Sequence, residues 1–185
     1  MPIPEAACLM TEAAETSSPA ELARLYGRAV FESAYRVLGD GPGAEDVQQE
    51  VFLRLVEKPP REVVSWPALL RASATRLAID RLRHRRRWGR WYALFGAEAA
   101  PAAGPGPDAD LARMQRAAQL RDALSHLPAR ESQVFALRML EGLEIDAIAA
   151  LTGLRPNTVS VALHRAARHL ERRLADPSNP PETHS

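Results

Sequence analysis

The stretch LEIDAIAALTGLRPNTVSVALHRAARHLERRL, residues 143–174, decides the fold of the C-terminal part of this 185-residue chain. Apolar residues recur at helical spacing on both sides of Thr152-Gly153, and Pro156 fits the first turn of a second helix, where its missing N–H costs nothing. A short helix, a glycine-containing turn and an arginine-bearing second helix are typical of a DNA-reading helix-turn-helix. An ordinary helical hairpin fits the same spacing, so spacing alone leaves both interpretations open.

The composition favours helices throughout the chain. Aromatic residues make up 5% of it, while alanine, leucine and arginine are abundant. With Cys8 as the single cysteine, neither a disulfide framework nor a cysteine-rich metal site can form. The N-terminus does not resemble a signal peptide, and no stretch approaches the roughly 20 apolar residues that cross a bilayer. We therefore expect a cytoplasmic all-α protein without membrane insertion, metal or cofactor.

Periodicity and helix breakers predict two small helical domains joined by a flexible linker, with the helix-turn-helix in the second. In the first domain we expect one helix ending at the breakers 39–43, a second from about residue 44, and a third reaching about residue 88. The predicted segments are an N-terminal tail (1–19), a first domain (20–92), an Ala/Pro/Gly-rich linker (93–110), a second domain (111–175) and a C-terminal tail (176–185).

Charge is strongly segregated behind a formal net charge of +1. Residues 71–92 carry eight arginines against the single acid Asp80, whereas residues 40–57 carry five acids against Arg54. A solvated face is the usual interpretation of either run. The arginine tract could also bind phosphates, and the acidic stripe, with Leu53 beside it, could dock on a protein surface.

Catalytic patterns are missing from the sequence. The five histidines are scattered, and no nucleotide-binding glycine loop or nucleophile motif occurs. We therefore expect no enzymatic activity of the chain's own and look for function in binding.

Three motifs in order resemble the extracytoplasmic-function branch of the sigma-70 family of bacterial RNA polymerase sigma factors. AEDVQQEVFLRL (44–55) is similar to the family's region 2.2, and ATRLAIDRLRHRRR (74–87) to its region 2.4. LPARESQVFALRMLEGLEIDAIAALTG (127–153), followed by the arginine-bearing helix, is similar to region 4. The resemblance covers both predicted domains and implies that region 2 is residues 20–92 and region 4 is residues 111–175.

The resemblance implies three binding surfaces and three partners: core RNA polymerase, promoter DNA and a probable anti-sigma factor. The polymerase-docking residues would be Asp46, Gln49, Glu50 and Leu53. The residues that recognise and melt the −10 element would be Lys58, Arg61, Trp66, Arg76, Arg83, Arg86 and Arg87. The residues that read the −35 element would be Arg155, Asn157, Thr158, Ser160, His164, Arg165 and Arg168.

The chain departs from the family pattern at four places, one of which is the start of the recognition helix, where the family often has a serine cap and this chain has Arg155. The family usually has asparagine where Arg76 stands, and often lysine and arginine where Ser160 and Ala162 stand. Two absent charges predict weaker phosphate binding or a different sequence preference at the −35 element.

Two other classes of protein compete with this interpretation. A stand-alone helix-turn-helix regulator would bind a duplex site without polymerase, but it would have no use for the polar stripe from Asp46 to Glu50. An enzyme acting on nucleic acid would need a metal or acid–base cluster, which the sequence does not offer.

Overall fold

The computed structural model describes residues 18–60, 62–95 and 108–175, and within these ranges it contains helices joined by short turns. The helices are α1 (Pro19–Leu38), α2 (Gly41–Glu57), α3 (Trp66–Phe95), α4 (Asp108–His126), α5 (Ala129–Met139), α6 (Ile145–Thr152) and α7 (Pro156–Ala175). None of these helices is both long and apolar enough to cross a membrane. The all-α prediction is confirmed.

A tight joint connects α1 to α2. Gly39 ends α1 in the left-handed conformation at φ 74°, which costs glycine nothing because it has no Cβ. Asp40 then caps α2 by accepting a hydrogen bond at 2.7 Å from the backbone N–H three residues on. The predicted start of α2 was three residues late, because this cap lets the helix begin at Gly41 with Pro42 in its first turn.

Helices also extend into both ends of the predicted linker. The helix α3 continues past Trp88 to Phe95, and α4 begins at Asp108 rather than Leu111. After Pro67 the α3 segment contains no proline, and the one glycine near its end costs only about 1 kcal/mol in a helix. The predicted end at Trp88 was therefore too early.

Two apolar cores hold the helices together. Helices α1, α2 and α3 enclose the first, whose largest fully buried side chains include Leu22, Val47 and Ile79. Helices α5, α6 and α7 enclose a second around Leu137 and Ile148, which continues between α4 and α7 as a further apolar cluster. Each bundle thus buries an apolar stripe that its helical periodicity predicted.

The two bundles are in contact along α3, which packs against α4 and α5. A buried carboxylate lies at this contact: the Glu141 side chain, 1% exposed, follows α5 and points into the first bundle. It accepts hydrogen bonds from Arg36 at 3.0 Å, Arg71 at 2.8 Å, Thr75 Oγ1 at 2.8 Å and Ser33 Oγ at 3.3 Å. We call these five residues the Glu141 cluster.

Candidate nucleic-acid and protein-docking surfaces

The helix-turn-helix is built by α6, the turn at Gly153 and α7. Gly153 ends α6 at φ 70°, a left-handed conformation that allows the reversal of direction. Helix α7 buries Val159, Ala166 and Leu170 against the other helices, which leaves its opposite face to solvent. The predicted helix-turn-helix is therefore present, with its second helix held by one apolar stripe.

Six of the seven residues predicted to read the −35 element lie on or just before the N-terminal half of α7, and Arg168 lies about one turn further along. Thr158 is half-buried, and the other six are exposed: Arg155, Asn157, Ser160, His164, Arg165 and Arg168. Val161, which the sequence interpretation passed over, is 42% exposed beside Ser160 on this helix. The face therefore combines cations, polar groups and one apolar side chain that could contact a thymine methyl group.

Ala162 does not belong to this face. It is 5% exposed and packs in the core of α5, α6 and α7. The expectation that alanine here removes a phosphate-binding charge from the DNA-facing side is therefore wrong, because the position faces the core. Ser160 is exposed, and its Oγ donates to the Pro156 carbonyl oxygen at 3.1 Å. Serine in place of the family's lysine therefore does leave the exposed face of α7 with one charge fewer.

A half-buried histidine links α7 to α4. His126 Nδ1 lies 2.8 Å from the Asp122 carbonyl oxygen, and Arg173 Nη2 lies 2.8 Å from His126 Nε2. A neutral ring satisfies both contacts by donating from Nδ1 and accepting at Nε2. Burial lowers the pKa of His126; Arg86 and Arg173 act in the same direction, and the contacts with Asp122 oppose them. The ring is thus held in its neutral form.

This arrangement predicts a loss of stability in mild acid. Because the pKa of His126 is lower in the folded chain, the unfolded chain gains the proton first as the pH falls below 6.5, its ordinary value. The stability that the neutral ring contributes is present above that pH and is lost towards the folded pKa. In urea titrations, His126→Gln should show a flatter decline in unfolding free energy than the wild type as the pH falls below 6.5. The control is His164→Gln, on the exposed face of α7, which should keep the wild-type slope. An unchanged slope in His126→Gln would contradict the prediction.

The predicted polymerase-docking residues share one face of α2. Gln49 is exposed, and the Leu53 side chain is 56% exposed despite being apolar. Arg81 of α3 contacts both acids of the stripe, Asp46 at 2.8 Å and Glu50 at 3.1 Å. The negative charge of the stripe is therefore partly neutralised within the chain. Leu53 remains beside it as an exposed apolar side chain.

Hydrogen bonds also lower the pKa of Glu50, the acid nearer to Leu53 on α2. Partial burial raises the pKa of Glu50, but hydrogen bonds from Arg81 and Arg54 outweigh it and hold that pKa below its ordinary value. Glu50 therefore stays ionised at neutral pH and keeps its bond to Arg81. The role of Arg81 as an internal partner of α2 was missed, because the sequence placed it in the arginine tract without showing which residues it faces.

The predicted −10 residues are spread along the end of α2 and the length of α3. Lys58 and Arg76 line the same cavity of about 260 Å³ between these helices. Arg87 is exposed about 16 Å further along α3, at about 1.5 Å per residue. Trp66, Arg83 and Arg86 are half-buried, and burial lowers the pKa of Arg83. Arg61 lies outside the described residues.

Comparisons with known proteins agree with the two-part geometry. The Sigma-70 region 2 family matches residues 22–88, and the Sigma-70 region 4 family matches residues 117–170. Together the two matches cover well over half of the chain. The region 2 match falls on α1 to α3, and the region 4 match falls on α4 to α7.

Curated relatives point to the same family. The chain is 30% identical over 163 residues to the ECF RNA polymerase sigma factor SigE of Mycolicibacterium smegmatis, in a match that covers 86% of this chain and 62% of that one. It is 25% identical over 171 residues to the ECF RNA polymerase sigma factor SigW of Bacillus subtilis, covering 85% of this chain and 89% of that one.

A solved structure has a similar fold. It is the sigma factor RpoE in complex with the anti-sigma factor NepR from Bartonella quintana, with a TM-score of 0.51, 19% identity, and coverage of 85% of this chain and 96% of that one. The two sigma regions match in order, the second of them contains the helix-turn-helix, and the curated relatives belong to one family. This chain therefore belongs to the sigma-70 family of RNA polymerase sigma factors, in its extracytoplasmic-function branch.

Proposed function

We propose that the chain is a sigma factor that binds core RNA polymerase and directs promoter-specific initiation of transcription. Region 2 recognises and melts the −10 element, and region 4 reads the −35 element. The chain supplies specificity in the cytoplasm, while the polymerase performs the chemistry. Its partners are core polymerase, promoter DNA and an anti-sigma factor.

The observation that carries this proposal is that one chain presents two separate exposed surfaces of different chemistry. Helix α2 offers an apolar side chain beside acids, as protein-docking faces do, and α7 offers arginines and polar groups at its N-terminal half. A stand-alone DNA regulator would need the second surface alone. Docking both domains on one polymerase would raise the effective concentration of each for its element.

The cavity between α2 and α3 supports a role in melting. It is lined by the cations Lys58 and Arg76 and by apolar residues such as Leu69, a combination suited to an unstacked base and its phosphate. Capturing unstacked non-template bases there would draw the duplex open, because binding offsets the few kcal/mol that unstacking costs.

Run-off transcription tests the function directly. Purified core polymerase with this chain, on fragmented genomic DNA of the source bacterium, should give discrete transcripts that core polymerase alone does not give. Transcripts at no site would refute the sigma role. Specific binding of a duplex site by the chain alone, together with that failure, would point to the stand-alone regulator instead.

A further inference from the structure

An arginine and a carboxylate lie side by side at the cavity between α2 and α3. Arg76 and Asp80 both line this cavity of about 260 Å³, and both side chains are exposed. They are four positions apart on α3, so they lie on the same side of the helix with Cβ atoms about 5–6 Å apart. A group that only donates hydrogen bonds is therefore placed next to a group that only accepts them.

Both groups keep hydrogen-bonding capacity for a ligand. Asp80 Oδ1 accepts a hydrogen bond from Gln133 Nε2 at 3.0 Å, whereas a carboxylate has about four acceptor positions. Arg76 Nη1 lies 3.5 Å from the Leu151 carbonyl oxygen, at the outer limit of a hydrogen bond, and its guanidinium has several more donors. An incoming group can thus be bound by both side chains at once.

The size and the walls of the cavity fit a small flat ring. Its volume of about 260 Å³ is below the roughly 300–1,000 Å³ of sites for drug-sized ligands. Part of its wall is apolar, from Val51, Leu55 and Leu69, which suits the face of a base. Lys58 lines the same cavity and offers a charge to a neighbouring phosphate. A nucleobase within a single strand combines a flat ring, a polar edge and an adjoining phosphate.

Guanine is the base whose polar edge matches both Arg76 and Asp80. Its O6 and N7 are neighbouring acceptors that a guanidinium contacts with two hydrogen bonds, and its N1–H and N2–H are neighbouring donors that a carboxylate accepts together. These two edges meet at O6, so two side chains one helical turn apart can reach both. Adenine and cytosine each offer one amino group to the carboxylate, and thymine offers one N–H. Each of these three bases would leave part of the pair without a partner.

We propose that Arg76 and Asp80 select one unpaired guanine of the non-template strand, Arg76 through O6 and N7 and Asp80 through N1–H and N2–H. The inference rests on the proposed function for its promoter role and deepens it, because it names the base captured when the −10 element melts. Asparagine, which the family usually has in place of Arg76, has one amino group and cannot form the same fork. The promoters of this chain should therefore carry a guanine in the melted segment.

Binding of single-stranded oligonucleotides tests this assignment on the free, full-length chain. The probes are four fluorescein-labelled oligothymidylates whose central position is guanine, adenine, cytosine or thymine, measured by fluorescence anisotropy at low salt. The guanine probe should bind about 5- to 150-fold more tightly than the others, which is the discrimination expected of a good bidentate pair. Equal affinities for the four probes, or binding of none of them, would overturn the proposal.

Base analogues assign each edge of the guanine to its side chain. Replacing the guanine by 7-deazaguanine removes the N7 acceptor, and replacing it by hypoxanthine removes the N2 amino group. Each change should weaken binding to the wild type by about 5-fold or more, because it leaves a bound polar group without its partner. Full binding of both analogues would show that the guanine is not read through these edges.

Two variants complete the assignment. Arg76→Lys keeps the charge but loses the planar fork, so the effect of 7-deazaguanine should disappear. Asp80→Asn keeps one acceptor oxygen for Gln133, so the contact within the chain is retained while the effect of hypoxanthine should disappear. A guanine preference that survives Arg76→Lys would show that Arg76 binds phosphate alone, and the assignment would be wrong.

Matched controls come from an ion pair on α1. Arg28→Gln and Glu32→Gln each remove one charge, at side chains that are 91% and 52% exposed and lie on α1 rather than in the cavity lining. Both should keep the wild-type preference for guanine. If Arg76→Lys or Asp80→Asn loses its helical circular dichroism, the analogues measured on the wild type decide alone.

The oligonucleotide measurements need no polymerase, so they separate this site from the sigma role. A guanine preference without run-off transcripts would reject the sigma role and keep the guanine site. Run-off transcripts together with equal affinities for the four probes would reject the guanine site alone.

Discussion

Replacing Leu137 with alanine is expected to unfold the second bundle under conditions where the wild type is folded. Leu137 is fully buried between α5, α6 and α7. Leucine-to-alanine changes in such cores cost about 2–5 kcal/mol, from lost burial and from the cavity left behind. A bundle of this size has a total stability of only about 3–9 kcal/mol. The loss is therefore a large fraction of the total stability.

Thermal unfolding followed by circular dichroism checks this expectation. The midpoint of the second bundle's transition should fall by about 8–40 °C, at about 4–8 °C for each of the about 2–5 kcal/mol lost in a small domain. The control is Met139→Ala, two residues on in the same helix and 59% exposed, which should stay within about 0.5 kcal/mol of the wild type. Similar transitions for the two variants would show that Leu137 is not a core residue.

Leu53→Asp is expected to weaken binding to core polymerase by about tenfold or more, because burying a leucine at an interface is worth about 1.5–3 kcal/mol. In the free chain Leu53 is 56% exposed, so its replacement should cost little folding stability. The added carboxylate would also have to be desolvated on docking, which increases the loss.

A fluorescence titration of labelled chain with core polymerase measures this effect. Leu25→Asp provides the control, since Leu25 on α1 is 58% exposed and lies outside the α2 stripe. The control should bind as the wild type does. Equal losses in both variants, or none in Leu53→Asp, would remove Leu53 from the docking face.

The sequence was sufficient for the features that repeat along one helix. The apolar spacing around Val159 predicted the buried side of α7, and the breakers Gly153 and Pro156 predicted where α6 ends and α7 begins. The stripe from Asp46 to Leu53 was likewise visible as one face of a helix. Such features depend on residues three or four positions apart, which a single sequence displays directly.

Contacts between distant residues could not be predicted in this way. Arg81 meets Asp46 and Glu50 from 35 and 31 positions away, and nothing in the arginine tract distinguishes it from its neighbours. Ala162 looked like a missing charge until its neighbours in the core were known. Glu141, next to the helix-ending Gly142, has the sequence appearance of an ordinary surface acid.

The sequence separations within the Glu141 cluster also have a consequence for synthesis. Its bonds join residues from 66 to 108 positions apart, whereas ion pairs within the bundles, such as Arg81–Asp46 and Arg173–Asp122, join residues 35 and 51 positions apart. Local contacts form first, and domains fold in order as a chain leaves the ribosome. The N-terminal bundle should therefore be complete before Glu141 is translated. A nascent chain would therefore pass through a stage in which α3 does not yet contact α4 and α5. The contact between the two bundles would form last.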